Sequence, residues 1–264
     1  MPELAEVAFA CSKWNIGLDK RVRKTTTLPT SRVYRDTDHT EFSNRLTGQK
    51  LIFAESHGKQ MLFSFSGNIY LGIHLGMTGS LANEPSGYEV QKYDALVLRQ
   101  SECTLLFRDP RQFGRLRISC GSNPPTWWSD LPPSITEKEF NLEIVEKAMK
   151  RHNRRPIKAL LLDQRYFPVM GNWMADEVLW RAKLRPARLA GTLNVNEIAC
   201  LYNKTLFVAK GAMKSVGTKG GDPPKDWLFH VRWKNGLLCP KTKLPLKRES
   251  IGGRTTCWSP SHQN

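Results

Sequence analysis

Pro2 and Glu3, the second and third residues of the chain, combine a nucleophile with a proton carrier. A small second residue permits removal of Met1, which would leave Pro2 with a free secondary amine. The reference pKa of a terminal amine is roughly 7.7–8.0, so part of it is neutral and nucleophilic near neutral pH. Glu3 lies close enough in sequence to carry protons for it. The alternative is that Pro2 only begins a helix, a position that suits proline.

Two polar positions inside otherwise apolar patterns are further candidates for a site. Gly171 and Asn172 precede a predicted helix, where unpaired backbone amides and a short polar side chain suit a phosphate. The alternative for Asn172 is a plain helix cap. His74 lies on an apolar strand, where a core histidine is the more ordinary interpretation, so we assign it a supporting role.

The first half of the chain has the periodicities of a helix followed by short strands. Apolar residues at helical spacing predict a helix over residues 3–14, and its positive N-terminal end and a nearby lysine would both favour the neutral amine. Short apolar segments separated by Gly, Asn and Ser turns predict six strands: Leu51–Ala54, Met61–Ser66, Ile69–His74, Ala95–Leu98, Thr104–Phe107 and Leu116–Ile118. This half is predicted to be a β-sandwich or barrel with a flanking helix.

The second half changes to a helical period after a proline-rich stretch. Residues 121–133 contain four prolines and interrupt both periodicities, which indicates a linker. Four helices are predicted beyond it, over Glu137–Lys150, Pro156–Gln164, Trp173–Lys183 and Val195–Lys210. Asn194 and Glu197 are spaced as a capping box. A loop and a β-rich tail follow Asp222, so the fold class is α+β.

The charge balance indicates an anionic partner. The chain has 264 residues, 40 Lys and Arg against 24 Asp and Glu, and a formal net charge of +16. Residues 201–264 hold twelve basic side chains against three acidic ones. Nucleic acid is the commonest partner of such a protein, with acidic membrane surface and simple solubility as alternatives.

Targeting and disulfide signals are weak. No apolar run approaches the roughly twenty residues of a membrane helix, and charged residues replace the apolar core of a signal peptide. The six cysteines show no paired framework. We therefore expect an intracellular protein, in cytoplasm and nucleoid or in a nucleus, without disulfides.

Six segments together resemble the formamidopyrimidine-DNA glycosylase and endonuclease VIII family, in the order and at roughly the spacing of that family. They are PELAEV at the start, HGKQ around Lys59, IHLGMTGSL from Ile73, RDPRQFGR from Arg108, MGNWMADEVLW from Met170 and GGRTT from Gly252. The resemblance covers essentially the whole chain, and its HLGMTG and DPRQFG segments are closer to the formamidopyrimidine branch.

The resemblance implies a fold and a division into domains. It predicts a catalytic β-sandwich domain over residues 1–121, a linker over 122–133, a helix-two-turns-helix domain over 134–221 and a C-terminal zinc-finger-like β-hairpin over 222–264. In the family, DNA lies across the cleft between the two domains.

The resemblance also implies the roles of the candidate residues. The Pro2 amine attacks the sugar of a flipped-out nucleotide, and Glu3 handles protons during base loss and ring opening. Lys59 assists catalysis and contacts a phosphate, and Arg254 binds a phosphate and is associated with the second elimination. The residues implied in DNA contact are Glu6, His74, Met77, Arg111, Phe113 and Asn172. Met77, Arg111 and Phe113 would fill the gap left by the extruded base, although core packing for Met77 and a solvated turn for Arg111 are the alternatives when each is taken singly.

The zinc finger of the family departs from its pattern here. The first ligand pair is Cys239 to Thr242 and the last is Ser259 to His262, so two of four ligands are lost and a third is histidine. We expect a hairpin without metal, held by Trp233, Leu237, Leu238 and Trp258. The alternative is a zinc site rebuilt from Cys239, Cys257, His262 and His230.

These observations predict a monomeric DNA glycosylase and abasic-site lyase of base excision repair without an organic cofactor. The expected partner is double-stranded DNA with damaged bases or abasic sites, oxidised purines first, then oxidised pyrimidines and hydantoins. One alternative is a non-catalytic binder of damaged DNA on the same scaffold. A third interpretation is an RNA-binding protein whose basic tail contacts ribosomal RNA.

Overall fold

The computed structural model describes residues 2–35 and 37–264. Met1, whose removal the sequence predicts, therefore lies outside the described residues. The chain divides into two compact units: one holds Pro2 and residues 6–131, and the other holds residues 3–5 and 132–264. The segment around Glu3 thus belongs to the second unit, although most of the helix that follows belongs to the first.

The first unit is a β-sandwich of two antiparallel four-stranded sheets, flanked by most of α1 (Leu4–Ser12) and by α2 (His39–Leu46). One sheet has the order β1-β6-β7-β5 and the other β2-β3-β4-β8. The strands are β1 (Lys24–Thr27), β2 (Leu51–His57), β3 (Gln60–Phe65), β4 (Ile69–His74), β5 (Ser80–Pro85), β6 (Asp94–Arg99), β7 (Cys103–Arg108) and β8 (Arg115–Cys120). The sandwich and its α+β class are as the sequence predicts.

The core of the first unit lies between the two sheets and continues to the buried side of α1. Phe63 and Leu71 from one sheet and Leu96 and Phe107 from the other belong to one cluster of fully buried side chains. Trp14, just after α1, is fully buried, and its ring centroid lies 4.6 Å from that of Phe63. Burial of such aromatic surface is the largest favourable contribution to a core of this size.

All six predicted strands are present, but β1, β5 and α2 of the sandwich were not predicted. β1 and β5 are the two edge strands of their sheet, and their sequences KTTT and SLANEP are mostly polar because only one side of each faces the core. Helix α2 is also polar, and the Asp38 carboxylate caps it by accepting a hydrogen bond from the Thr40 amide at 2.9 Å. Hydrophobic periodicity is a weak signal for elements of this kind.

The second unit is helical and carries a C-terminal hairpin. Its longer helices are α4 (Leu142–Arg151), α5 (Ile157–Leu161), α6 (Asn172–Ala182) and α7 (Val195–Ala212), and the short α3 (Thr126–Ser129) lies before it, inside the predicted linker. The capping box of Asn194 and Glu197 is present at the start of α7. The helix predicted from Glu137 begins only at Leu142, because the Asn141 side chain accepts the Ile144 amide and starts the helix there.

The hairpin consists of β9 (Lys247–Ile251) and β10 (Arg254–Trp258), and its core differs from the prediction. Trp258 is buried, but Trp233 and Leu238 are 51 and 50 % exposed, so these two do not hold the hairpin together. The side chains that do form a small buried cluster are Trp180, Leu228, Cys239, Leu246 and Cys257. The prediction was wrong for Trp233 and Leu238, because the buried contact with α6 is made through Cys239 and Cys257, which local sequence does not indicate.

Within residues 2–35 and 37–264, none of the helices combines the length and the apolar character needed to cross a membrane.

Candidate active site and nucleic-acid interface

The carboxylate of Glu3 is bound at the N-terminus of α6. Its Oε1 accepts a hydrogen bond from the Trp173 amide at 3.0 Å and its Oε2 accepts one from the Met174 amide at 3.1 Å, and the side chain is only 3 % exposed. The first amides of a helix have no partner within the helix and carry the positive end of its dipole. The side chain that follows Pro2 is thus buried and held by two backbone amides at a fixed place.

Gly171 leaves the space that the Glu3 side chain occupies. A Cβ at position 171 would lie 1.9 Å from Cδ of Glu3 and 2.3 Å from its Oε1. No side chain fits there unless the carboxylate moves. The sequence prediction placed Gly171 beside a phosphate; its close approach to Glu3 depends on a contact 168 positions away in the sequence.

Asn172 and Arg254 are brought to neighbouring places in the second unit. The Nδ2 of Asn172, at the start of α6, donates a hydrogen bond to the Thr255 carbonyl at 2.8 Å. Thr255 follows Arg254 in β10, and the turn before them contains Gly252 and Gly253 with φ of 59° and 74°. Arg254 is exposed, so its guanidinium faces solvent at the end of this turn. The pair suits an anionic ligand.

A buried ionic cluster lies one turn below Asn172. Lys158 Nζ donates to Asp176 Oδ1 and to the Asn172 carbonyl, both at 2.6 Å. Asp176 Oδ2 accepts from Arg232 Nη2 at 2.6 Å and from the Cys257 amide at 3.1 Å. Lys158 and Asp176 are fully buried. Burial lowers the pKa of Lys158, and Asp176 acts in the opposite direction. The only signal in the sequence is a set of charged residues within apolar helical segments.

Lys59 and His74 approach each other at one end of the first unit. Lys59 precedes Gln60, whose partner across β3 and β4 is His74. Burial, followed by repulsion from Lys59 and Arg117, lowers the pKa of His74. The Gly76 amide donates to His74 Nδ1 at 3.0 Å, so the neutral ring carries its hydrogen on Nε2. His74 is therefore a neutral donor beside a cationic residue.

Met77, Arg111 and Phe113 lie on two adjoining loops of the first unit. Met77 and Phe113 are 47 and 48 % exposed, so Met77 is not the core residue that its alternative interpretation required. The Arg111 guanidinium lies 4.7 Å from the centre of the Phe113 ring. A Cβ on Gly76 would be 2.4 Å from the Phe113 carbonyl carbon, which shows how closely the two loops pack. Exposed wedge-like side chains of this kind can enter an opened base stack.

Asp109 joins these two loops and was not predicted as a site residue. Its Oδ1 accepts from the Thr78 hydroxyl at 2.7 Å and from the Arg111 amide at 3.3 Å. Its Oδ2 accepts from the Gly114 amide at 2.6 Å, and the residue is 2 % exposed. One buried carboxylate thus fixes the backbone on either side of the exposed side chains.

Pro2 is half-buried immediately before α1, and Glu6 is half-buried in the first turn of that helix. Pro2 belongs to the first unit, together with Lys59 and His74, whereas Glu3, Asn172 and Arg254 belong to the second. The predicted residues are therefore divided between the two units.

The positions of the family's zinc ligands are occupied by a hydrogen-bonded group of thiol and hydroxyl side chains. The Trp180 indole donates to Cys239 Sγ at 3.4 Å. Ser261 Oγ lies 2.8 Å from Thr242 Oγ1 and 3.1 Å from Ser259 Oγ. Burial raises the pKa of Cys239, but hydrogen bonds from Ser259, Thr242 and Trp180 outweigh it and lower the pKa to about 7.

Of the alternative zinc ligands, Cys239 and Cys257 share one buried cluster, whereas His230 is bonded elsewhere. His230 Nε2 is 2.9 Å from the Pro223 carbonyl, so it is bonded to its own loop. Burial, followed by repulsion from Asp176, raises the pKa of Cys257 to about 12 and thereby disfavours the thiolate that would bind a metal. Nowhere in the described part of the chain do three His, Cys, Asp or Glu side chains lie where they could share one metal ion.

The fold combines a β-sandwich, a helical unit in which the Glu3 carboxylate is bound at a helix N-terminus, and a C-terminal hairpin. It is an α+β protein of the helix-two-turns-helix class. Family models agree with both units: the formamidopyrimidine-DNA glycosylase N-terminal domain matches residues 1–116, and the formamidopyrimidine-DNA glycosylase H2TH domain matches residues 131–221. The chain belongs to the formamidopyrimidine-DNA glycosylase family.

Curated relatives and solved structures extend over the whole chain. The formamidopyrimidine-DNA glycosylase of Thermus thermophilus is 33 % identical over 281 residues, covering all of this chain and 98 % of the relative, and that of Ligilactobacillus salivarius is 31 % identical with coverage of 100 and 99 %. A structure of the Lactococcus lactis enzyme with DNA containing an oxidised pyrimidine has a TM-score of 0.89 at 22 % identity, and one bound to abasic-site DNA has 0.87 at 22 %, each with complete coverage of both chains. The structural likeness shows the fold.

Proposed function

We propose that this protein is a bifunctional DNA glycosylase and abasic-site lyase of base excision repair, with the Pro2 amine as its nucleophile once Met1 is removed. The observation that carries the proposal is the position of Glu3. The residue next to the nucleophile is a buried carboxylate held by two amides at the N-terminus of α6, in the same turn as Asn172. A proton carrier beside an amine and a phosphate-binding helix end is what the reaction requires.

The proposed reaction forms and breaks bonds in a fixed order. The neutral Pro2 amine attacks C1′ of the damaged nucleotide, the glycosidic carbon–nitrogen bond breaks, and the base leaves with a proton. Opening of the sugar ring yields an iminium between Pro2 and C1′. Loss of a C2′ proton then expels the 3′ phosphate, and a second elimination can expel the 5′ phosphate. Water finally hydrolyses the iminium and returns the amine. Glu3 exchanges protons in the base-loss and ring-opening steps.

Binding is proposed to use phosphate contacts and a wedge. Lys59 and the neutral His74 supply a cation and a donor in the first unit, and Asn172 and Arg254 supply donors in the second. Met77, Arg111 and Phe113 fill the gap of the extruded base, which offsets a stacking cost of a few kcal/mol. Their exposure on two loops fixed by Asp109 supports this role.

The proposed partner is double-stranded DNA with a damaged base or an abasic site. The names of the curated relatives and the DNA in the Lactococcus lactis complexes support this partner. We propose oxidised purines as the first substrate class, with oxidised pyrimidines and hydantoins next, because the segments around Met77 and Phe113 resemble the formamidopyrimidine branch. Such an enzyme acts in the cytoplasm and nucleoid or in a nucleus, where its DNA is.

We also propose that the hairpin works without zinc and that no organic cofactor takes part. Thr242 and Ser259 stand where the family has thiolates, and the Ser261 hydroxyl bonds to both of them, which supports a hairpin stabilised by hydrogen bonds. Elemental analysis of protein purified without chelators tests this, and one zinc per chain would contradict it.

Borohydride trapping tests the nucleophile directly. Protein whose Met1 is shown by mass spectrometry to be absent is mixed with duplexes containing 8-oxoguanine or an abasic site, reduced, and digested. We expect a covalent adduct on the N-terminal peptide, at the Pro2 nitrogen. The matched control is Pro2→Leu, whose bulky second residue keeps Met1 in place and moves the amine by one residue. Tight binding to the abasic duplex with no adduct would favour the non-catalytic damage binder instead.

A further inference from the structure

The buried cluster of Lys158, Asp176 and Arg232 joins the two groups proposed to bind phosphate. On one side, Lys158 Nζ donates to the carbonyl of Asn172 as well as to Asp176, each at 2.6 Å. On the other side, Asp176 Oδ2 accepts the Cys257 amide of β10 at 3.1 Å, three residues after Arg254. Asp176 lies on the helix that begins with Asn172, and its carboxylate bonds to the strand that carries Arg254 and to Lys158, which in turn donates to the Asn172 carbonyl.

Two further contacts place the hairpin against the helices at the same point. The Asn172 side chain donates to the Thr255 carbonyl at 2.8 Å. Gly252, in the turn of the hairpin, comes so close to α5 that an added Cβ would lie 2.7 Å from Cβ of Ala159. The turn, the strand and the helix N-terminus are thus fixed at three places within the second unit.

The hairpin needs polar contacts of this kind to hold it against the helices. A two-stranded hairpin is marginally stable by itself, and the apolar cluster beneath this one has only five buried side chains. Arg232 orients the Asp176 carboxylate as well as balancing its charge, since its Nε and Nη2 both donate to Asp176 Oδ2, at 3.1 and 2.6 Å. A planar guanidinium holds a carboxylate in one orientation better than an ammonium does.

We propose that Asp176 and Arg232 are positioning residues that set the spacing between Asn172 and Arg254, so that both side chains contact the DNA backbone together. The proposal rests on the proposed function, because it presupposes that these two side chains bind phosphate. Neither Asp176 nor Arg232 is accessible to DNA, as they are 0 and 5 % exposed. Their effect on binding must therefore pass through Arg254 and Asn172.

The salt dependence of binding separates positioning from general stability. Each phosphate contact releases counterions and contributes about 0.9 to the slope of log affinity against log salt. For Arg232→Met, measured on a duplex with a stable abasic-site analogue, we expect this slope to fall by about one, although the substituted side chain is buried. Affinity should fall by roughly three- to tenfold near physiological salt, and the borohydride trapping rate at saturating enzyme should stay within about twofold.

Three comparison variants complete the experiment. Arg151→Met removes the same charge from an exposed site at the end of α4 and should leave the slope near wild type. Arg232→Lys, which keeps the charge but has a single donor group, should lie between wild type and Arg232→Met. Arg254→Ala should reduce the slope by about one, and adding Arg232→Met to it should cause little further loss.

Several results would overturn the inference. One is a slope of log affinity against log salt that is unchanged in Arg232→Met. Another is a double variant whose loss of slope equals the sum of the losses in Arg232→Met and Arg254→Ala. If Arg232→Met does not fold, Asp176→Asn, which keeps an acceptor for the Cys257 amide, is measured in the same way. Failure of both variants to fold would assign the cluster to folding alone and also contradict the proposal. If wild-type protein does not prefer the abasic duplex at all, the proposed function itself has failed.

Discussion

The carboxyl carbon of Glu3 lies 1.9 Å from the point where a Cβ on residue 171 would stand, so glycine at position 171 and the bound carboxylate depend on each other. The absence of a side chain at position 171 therefore allows the Glu3 carboxylate, the proposed proton carrier, to occupy its place next to Pro2 in the sequence. It also explains why Gly171 stands next to Asn172, since the helix must begin without a side chain on that side.

Gly171→Ala is expected to displace the Glu3 carboxylate from the Trp173 and Met174 amides. Loss of a positioned acid–base group typically costs about 10²- to 10⁴-fold, so we expect base excision to slow by about 100-fold in single-turnover assays. Gly87→Ala is the matched control, because nothing lies within 4 Å of the added Cβ and its φ is not in the left-handed region. Excision by Gly171→Ala at the wild-type rate would show that the Glu3 position is not needed.

Asp109→Asn is expected to loosen both loops that carry the wedge residues. An amide group in place of one carboxylate oxygen would face the hydrogen of Thr78 or Gly114, and each lost bond to a charged acceptor corresponds to about 1.5–3 kcal/mol. Excision from a duplex, which needs base extrusion, should slow more than cleavage of a ready-made abasic site. A fluorescent base analogue opposite or beside the lesion would report extrusion.

The control for this variant is Asp130→Asn, an exposed carboxylate of the same unit. Equal slowing of both reactions by Asp109→Asn would indicate general damage to the sandwich and contradict a specific role in extrusion.

Cys239 is expected to ionise near neutral pH. Hydrogen bonds lower its pKa to about 7, whereas burial raises the pKa of Cys11 to about 12. The thiolate absorbance of wild type minus Cys239→Ser should rise with a midpoint near 7, and the difference for Cys11→Ser should stay flat in that range. Because the folded pKa lies below the reference value, the stabilisation is complete above pH 9 and is lost as pH falls through 7. A flat Cys239→Ser difference would contradict the hydrogen-bond pattern of the hairpin.

Glu177 is expected to make the protein less stable as pH rises from about 4.5 to about 7. Burial raises its pKa from 4.5 to about 7, although Arg181 and the Leu228 amide act against this. The folded state therefore holds the proton where the unfolded state has released it, and stability falls with rising pH in that window. The free energy of unfolding of wild type minus Glu177→Gln should fall by up to about 3 kcal/mol across it, since one pKa unit is about 1.4 kcal/mol.

Denaturant titrations at several pH values measure this difference, and Glu139→Gln, at an exposed site, is the control. A difference that is constant between pH 4.5 and 7 would show that burial does not govern Glu177 in the folded protein.

The candidate site residues that the sequence indicates are those that belong to a short, recognisable segment. Pro2 with Glu3, Gly171 with Asn172, and Gly252 with Arg254 are all short strings, and the α7 capping box is another. The spacing of apolar residues also located the buried strands and the longer helices, because each of these elements has an apolar pattern within its own segment.

The rest depends on contacts between distant positions. Asp176 meets Lys158, Arg232 and Cys257 only after folding, and nothing near any one of them in the sequence indicates the others. The edge strands β1 and β5 have too little apolar surface to produce a period, and Asp109 is one acidic residue in a turn until Thr78 and Gly114 surround it. Asp176 and Asp109 hold other residues in place through contacts with distant positions, so no short segment of the sequence indicates them.

The anchoring of Glu3 limits the freedom of the residue before it. The first residues of a chain are ordinarily among its most mobile, and a nucleophile there would lose entropy at every encounter with substrate. Here Glu3, Leu4 and Ala5 are all buried, so the proposed nucleophile is one residue from fixed backbone, and the proline ring restricts its own torsion as well. Much of the entropy needed to bring an amine to a sugar carbon is thus already lost when the protein folds, and the substrate does not have to supply it.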